Sequence, residues 1–226
     1  MINLDPYRKK LPNQVLQGQD TLALLPTGGG KSICFQVPVM ARKGIGIVVS
    51  PLIALMADQV NNLKKLNIPA IALTSGLNYR ELELGIENCV NGYYKFLYLS
   101  PERLKSELVR ERIKRMPVNL LVVDEAHCIS QWGYDFRPSY TEIAEVRELI
   151  PEVPVMALTA TATPQVVNDI MEKLQFAGRQ VFRESFFRPN LFYNVNHTEE
   201  SGVIRSKYYS ASADRASYTC AIANTA

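Results

Sequence analysis

The sequence has little of what staples a small or secreted fold. Its 226 residues include four cysteines, Cys34, Cys89, Cys128 and Cys220, far apart and without a Cys-x-x-Cys pair, and two histidines, His127 and His197. No zinc spacing arises from these, and reduced thiols in a cytoplasmic protein are the expectation. The N-terminal MINLDPYRKK lacks the apolar core of a signal peptide. The most apolar stretch, Ile45 to Ala57, is broken by Ser50 and Pro51, well short of the roughly 18 residues that a membrane span needs. An excess of one charge is missing too. Against 22 acidic residues stand 25 basic ones, a net +3, too small to identify a partner because a nucleic-acid binder can carry its basicity as a local stripe. With 47% hydrophobic and 21% charged residues, the composition is that of a globular protein, neither disordered nor fibrous. At roughly 150 residues per domain, the length predicts one sizeable domain plus a remainder.

What is present is an alternation. Short apolar runs, TLALL (21–25), IGIVV (45–49), AIALT (70–74), KFLYL (95–99), NLLVV (119–123) and VMAL (155–158), are separated by helix-length periodic segments. In one of these, Leu52, Leu55, Met56, Val60, Leu63 and Leu66 recur at the three- and four-residue spacing of one helix face. Apolar strands without polar alternation, separated by helices, predict an α/β fold with a mostly parallel sheet covered by helices on both faces. Such sheets bind ligands at the carboxyl ends of their strands, which directs attention to the loops after Leu25, Val49, Thr74, Leu99, Val123 and Leu158. From about Ser201 the text turns rich in Ser, Ala and Tyr and loses the alternation, so 197–226 is expected to be a disordered or aberrant tail.

The loops carry the chemistry. PTGGGKS, Pro26 to Ser32, follows the first strand and precedes an apolar helix pattern. Gly28, Gly29 and Gly30 let backbone N–H groups turn toward a phosphate, and a helix beginning at Lys31 adds its positive dipole end. Thr27 belongs to the same loop. Lys31 would meet the β- and γ-phosphates of ATP, and the Ser32 hydroxyl would ligate Mg²⁺. The plainer alternative is a glycine-rich turn with a chance lysine. After NLLVV come Asp124 and Glu125; a carboxylate ending a buried apolar strand needs a cation, so Asp124 would hold Mg²⁺ and Glu125 would orient and deprotonate the attacking water. On its own the same pair could simply cap the next helix.

The segment CISQWGYDFRPSY, 128–140, places Trp132, Tyr134, Phe136 and Arg137 in a polar loop, suited to stacking on unpaired bases. Trp132 could instead anchor the loop. Ser50 and Pro51, entering a helix, and LTATAT, 158–163, offer exposed hydroxyls and helix-start amides to a nucleic-acid backbone, though either could be an ordinary N-cap.

With PTGGGKS, VSPLIALMADQV, LYLSPERL, DEAHCISQWGYDFRP and ALTATAT in this order, the sequence resembles the first motor domain of a RecQ-family DNA helicase of superfamily 2, from about Gly18 to Asn190. DEAH followed at once by CISQWG-x-DFRP separates that group from RNA-directed DEAH helicases. The resemblance implies a RecA-like P-loop fold and ATP-driven 3′-to-5′ unwinding of DNA in recombination and repair, nucleoid-associated in a bacterium. It implies that His127, Gln131, Trp132, Phe136 and Arg137 couple single-stranded DNA to hydrolysis, with Thr159 and Thr161 relaying that coupling.

Two departures qualify it. The position of the family's adenine-reading glutamine, ten residues before Gly18, holds Arg8, so 1–17 is expected to be a remnant of that region, with Tyr7 and Gln14 beside it, and 18–196 the ATP-binding domain. Ser185 to Leu191 resembles the family's exit from this domain. The resemblance implies a second RecA-like domain with an arginine finger, and none is expected within these 226 residues. Slow hydrolysis without unwinding is therefore expected of these residues alone, and the alternative is a fragment that binds nucleotide or single-stranded DNA without turnover.

Overall fold

Successive residues of the central strands face two separate apolar cores, and that alternation sets the layers of the fold. The computed structural model describes residues 6–26, 30–74, 76–133, 135–185, 193–197 and 218–222. Seven strands form one parallel sheet: β1 Thr21–Leu24, β2 Ile45–Val49, β3 Ala70–Leu73, β4 Phe96–Leu99, β5 Val118–Val123, β6 Val155–Thr159 and β7 Val181–Arg183. Their order is β3-β4-β2-β5-β6-β1-β7. Six match the expected apolar runs. The seventh, VFR, is short and partly exposed at the sheet edge, too weakly apolar to read from sequence.

Helices cover both faces, as the unbroken apolar strands require. Helices α1 (Pro6–Leu16), α2 (Lys31–Ala41) and α3 (Ile53–Lys65) bury Val15, Phe35, Val39, Met56, Val60 and Leu63 against Ala23, Val48, Phe96, Tyr98 and Val122. Helices α4 (Tyr79–Val90), α5 (Glu107–Arg115), α6 (Glu142–Leu149) and α7 (Pro164–Lys173) bury Ile86, Ile113, Val146 and Ile170 against Ile47, Leu97, Leu121 and Ala157. Each such side chain contributes about 1.5–3 kcal/mol by leaving water. Among the described residues, no helix is long and apolar enough to cross a membrane.

The expected face of α3 needs correction. Met56, Val60 and Leu63 are buried, but Leu52, Leu55 and Leu66 are 47%, 36% and 69% exposed. Leu52 precedes the helix and Leu66 follows it, so neither continues its face, while Leu55 borders a cavity at the carboxyl edge of the sheet.

Residues 1–185 form one compact unit and 186–226 a second. Among the described residues of the second unit, β8 (Tyr193–His197) and β9 (Tyr218–Ile222) pair in parallel. The expected tail is otherwise outside the described residues, as are 186–192, which hold most of the expected domain exit. Arg8 and Tyr7 fall within α1, their side chains outside the description.

Candidate nucleotide and nucleic-acid site

The site is built where β1, β2 and β5 end. Leu25 donates its N–H to the Thr159 carbonyl at 3.0 Å, holding the exit of β1 against β6. Thr27, Gly28 and Gly29 lie outside the described residues. Gly30 caps α2 in the left-handed region, φ 72°, where a side chain would be strained. The helix then opens on Lys31 and Ser32. Both line a cavity of about 570 Å³ together with Ser50, Gln59, Asp124 and Glu125. Residues 31, 32, 124 and 125, expected from the sequence to serve nucleotide and metal, are thus brought to one cavity with Ser50, which was expected at a nucleic-acid backbone instead.

Strand β5 delivers the carboxylates. The Asp124 N–H donates to the Val49 carbonyl at 2.9 Å, and the Tyr140 hydroxyl donates to the Asp124 carbonyl at 2.8 Å, so the backbone here is gripped from both sides. Burial first, then the adjacent Glu125 charge, pushes the Asp124 carboxyl above its ordinary range, with Lys31 and hydrogen bonds opposing. Glu125 sits at φ 48°, a left-handed conformation that costs a non-glycine residue about 1–3 kcal/mol and concentrates at functional sites. Lys31 Nζ reaches Glu125 Oε1 at 3.1 Å, and His127 Nδ1 lies 3.3 Å from Glu125 Oε2. The His127 hydrogen bond, with Lys31 assisting, holds Glu125 below the usual carboxylate range despite its burial.

His127 connects this cluster to β6. Its Nδ1 is 2.9 Å from Thr159 Oγ1, and that hydroxyl accepts the Thr161 N–H at 3.1 Å. Thr159 and Thr161 therefore belong to one hydrogen-bonded corner with the His127 ring. The Cys128 sulfur, 3.8 Å from Nε2, and the Glu125 carboxylate raise the imidazole to a pKa of about 9.

Two expectations about exposed hydroxyls are corrected. Ser50 is 2% exposed and Thr159 fully buried. Ser50 Oγ donates to Asp124 Oδ2 at 3.3 Å, so it serves the carboxylate and not the solvent. Thr163 is an ordinary N-cap, its side chain accepting the Val166 N–H at 3.4 Å ahead of Pro164. Pro51 is partly exposed and Thr161 exposed at the same sheet edge.

The aromatic segment leaves the core. Trp132 is 68% exposed and does not anchor the loop. Gln131 is exposed beside it, and Arg137 pairs with Asp135 at 3.0 Å. Phe136 is partly buried under Lys173, whose Nζ lies 5.8 Å from the ring centroid. Gly133 permits the turn, since a Cβ there would meet the His127 carbonyl oxygen at 2.5 Å. Tyr134 is outside the described residues. Sequence spacing gives no zinc pattern, yet the loop brings the ligand atoms of His127, Cys128 and Asp135 within 4.8 Å of one another. Arg137 already holds the Asp135 carboxylate there.

Sequence reasoning missed Gln59 and Tyr140. Gln59 lay inside an apolar helical pattern, and Tyr140, not singled out in the 128–140 segment, is fully buried with its hydroxyl on the Asp124 carbonyl.

Comparison with known proteins gives the family and the fold. A family model described as DEAD/DEAH box helicase matches residues 5–170. The chain is 45% identical over 188 residues to "Probable ATP-dependent DNA helicase RecS" of Bacillus subtilis, covering 83% of this chain and 38% of that protein. It is 44% identical to "ATP-dependent DNA helicase RecQ" of Bacillus subtilis over 178 residues, 78% of this chain and 30% of that one. With "ATP-dependent DNA helicase Q-like 4B" of Arabidopsis thaliana the identity is 39%, over 88% of this chain and 19% of the relative. The chain thus spans well under half the length of these relatives. Among solved structures, the Pyrococcus furiosus Hef helicase domain aligns with a TM-score of 0.60 at 21% identity, over 86% of this chain and 44% of that one. The DUF1998 helicase MrfA aligns at 0.71 with 12% identity, over 93% and 34%. These two likenesses speak to the fold, and they bear out the expected RecA-like α/β architecture; the sequence relatives bear out the resemblance to RecQ helicases.

Proposed function

The chain belongs to the DEAD/DEAH box helicase family, and on that premise we propose that it is the ATP-binding motor portion of a RecQ-type 3′-to-5′ DNA helicase. The observation that carries the reading is the convergence of Lys31, Ser32, Asp124 and Glu125 on one cavity, with His127 linking Glu125 to Thr159.

Thr27 to Ser32 form the phosphate loop, and α2 presents its positive end to the triphosphate. Mg²⁺ fits the donor set: Ser32 and Asp124 offer hard oxygen ligands on one cavity, and a buried carboxyl pushed upward by burial gains from a cation. When bound, the metal neutralises charge developing on the phosphates. Lys31 moves from Glu125 to the β- and γ-phosphates. That exchange frees Glu125 and removes a cation that holds it ionised, so its affinity for a proton rises as it orients the attacking water.

Single-stranded DNA engages Pro51 and, in the aromatic loop, the exposed Gln131 and Trp132 with the partly exposed Phe136 and Arg137, and Thr161 lies at the neighbouring edge. Strand binding then reaches Glu125 through His127 and Thr159. Residues 18–196 are the motor body in this reading, and action in recombination and repair belongs to the longer protein.

Steady-state ATP hydrolysis by the purified chain, with and without an oligo-dT strand, tests the proposal beside Lys31→Ala. The expected result is a slow, DNA-stimulated rate that Lys31→Ala reduces at least about a hundredfold, the loss typical of removing one preorganised charge-stabilising donor. Nucleotide binding without Lys31-dependent turnover favours the non-catalytic reading, and stimulation by RNA over DNA overturns the assignment to DNA.

A further inference from the structure

Two side chains from the β2 exit and α3 reach back to the metal end of the cavity. Ser50 Oγ donates to Asp124 Oδ2 at 3.3 Å, and Gln59 Nε2 donates to Ser32 Oγ at 2.7 Å. The Gln59 amide is itself oriented, because its Oε1 accepts Gln36 Nε2 at 3.2 Å from α2. In this arrangement the Gln59 amide nitrogen faces Ser32 and its oxygen faces Gln36. No motif read from the sequence gave Gln59 a role, yet its bond to Ser32 is shorter than the Lys31–Glu125 and Ser50–Asp124 contacts on the same cavity.

From this geometry we infer that Gln59 is a positioning residue for Ser32, and that α3 links the metal end of the nucleotide site to the loop at Ser50 and Pro51. The inference rests on the Mg-nucleotide reading above. A serine hydroxyl has two lone pairs and one proton. With one lone pair taken by the Gln59 N–H, the other is held in a fixed direction for a metal ion. Gln59 follows Leu55 by one helical turn, so it shares the cavity-facing side of α3 with Leu55 and Met56. Because Ser50 and Gln59 flank the first two turns of the same rigid element, a strand engaging Pro51 displaces both contacts together. Asp124 and Ser32 then respond as a pair.

The test measures mant-ADP affinity of the full 226-residue chain in excess Mg²⁺ and in EDTA, for wild type, Gln59→Met and Gln36→Met. Methionine keeps the length and removes the donor. The ratio of the two affinities is expected to fall about three- to tenfold in Gln59→Met, the worth of one hydrogen bond, with affinity in EDTA unchanged. In Gln36→Met the fall is smaller but in the same direction, and this variant keeps the test open should Gln59→Met misfold. Adding oligo-dT is expected to shift the wild-type ratio and to leave that of Gln59→Met unmoved.

Unchanged ratios in both variants overturn the positioning role. A wild-type ratio insensitive to oligo-dT, or an equal shift in the variant, overturns the link through α3. A wild-type chain whose mant-ADP affinity ignores Mg²⁺ defeats the underlying Mg-nucleotide reading instead, which keeps the two failures distinct.

Discussion

At the scale of single residues, the charge of His127 is the most exposed to experiment. The Cys128 sulfur and the Glu125 carboxylate lift its pKa from an ordinary 6.5 to about 9, against the opposing effect of burial. Since the folded value lies above the ordinary one, the stabilisation from this group is complete below pH 6.5 and is lost as pH rises through about 9. In the metal- and nucleotide-free chain, the ring is therefore expected to remain an imidazolium at pH 7.5. Its Nδ1–H is then shared by Glu125 and Thr159. Two-dimensional NMR of the imidazole nitrogens across pH 6 to 10 checks this, with Glu125→Gln lowering the midpoint. A midpoint near 6.5 in the wild type refutes the coupling. Such a proton was not legible in the sequence: DEAH names the histidine, but Thr159 stands 32 positions away and meets it only because β5 and β6 are neighbours in the sheet.

At the scale of elements, the apolar runs were legible because a strand buried on both faces has no polar alternation to confuse it. Less legible were contacts that lock elements to each other. Asp20, at the entrance of β1, is buried with Arg147 of α6: the guanidinium reaches its carboxylate at 3.1 Å, and side-chain exposures are 2% and 9%. The same carboxylate accepts the Val155 N–H at 2.8 Å and the Ala177 N–H at 2.9 Å. One side chain thus joins β1, α6, β6 and the segment after α7. Removing one partner of a buried pair leaves the other charge uncompensated, costing about 3–5 kcal/mol. Asp20→Ala is expected to lower Tm by roughly 6–20 °C, at about 2–4 °C per kcal/mol for a chain of this size. Arg147→Met added to it should recover part of the loss, as the stranded cation goes while two N–H groups stay unpaired. Thermal melts of the single and double variants decide; no recovery would mean the amide bonds, not the ion pair, dominate.

At the scale of the whole molecule, the site is a property of the sheet order. Strand β1 carries Lys31 and Ser32 beyond its end, β2 carries Ser50, and β5 carries Asp124 and Glu125, yet β6 lies between β1 and β5. Lys31, at the start of α2, therefore reaches Glu125 past the end of β6, where Leu25 is tied to Thr159. A ligand that bridges these strand ends binds only the folded arrangement, so it stabilises the fold by mass action. At a hundredfold excess over Kd the gain is about 2.7 kcal/mol, or about 5–10 °C in Tm for a chain of this length. Every described side chain of the site and both apolar cores lie within residues 6–185, inside the first compact unit. A chain ending at Ser185 is accordingly expected to melt cooperatively and to show the same rise with Mg-ADP, and Lys31→Ala to lose most of it. Scanning calorimetry of both lengths, with and without Mg-ADP, checks this. A shift seen in the full chain but absent from residues 1–185 would show that the site needs residues beyond Ser185.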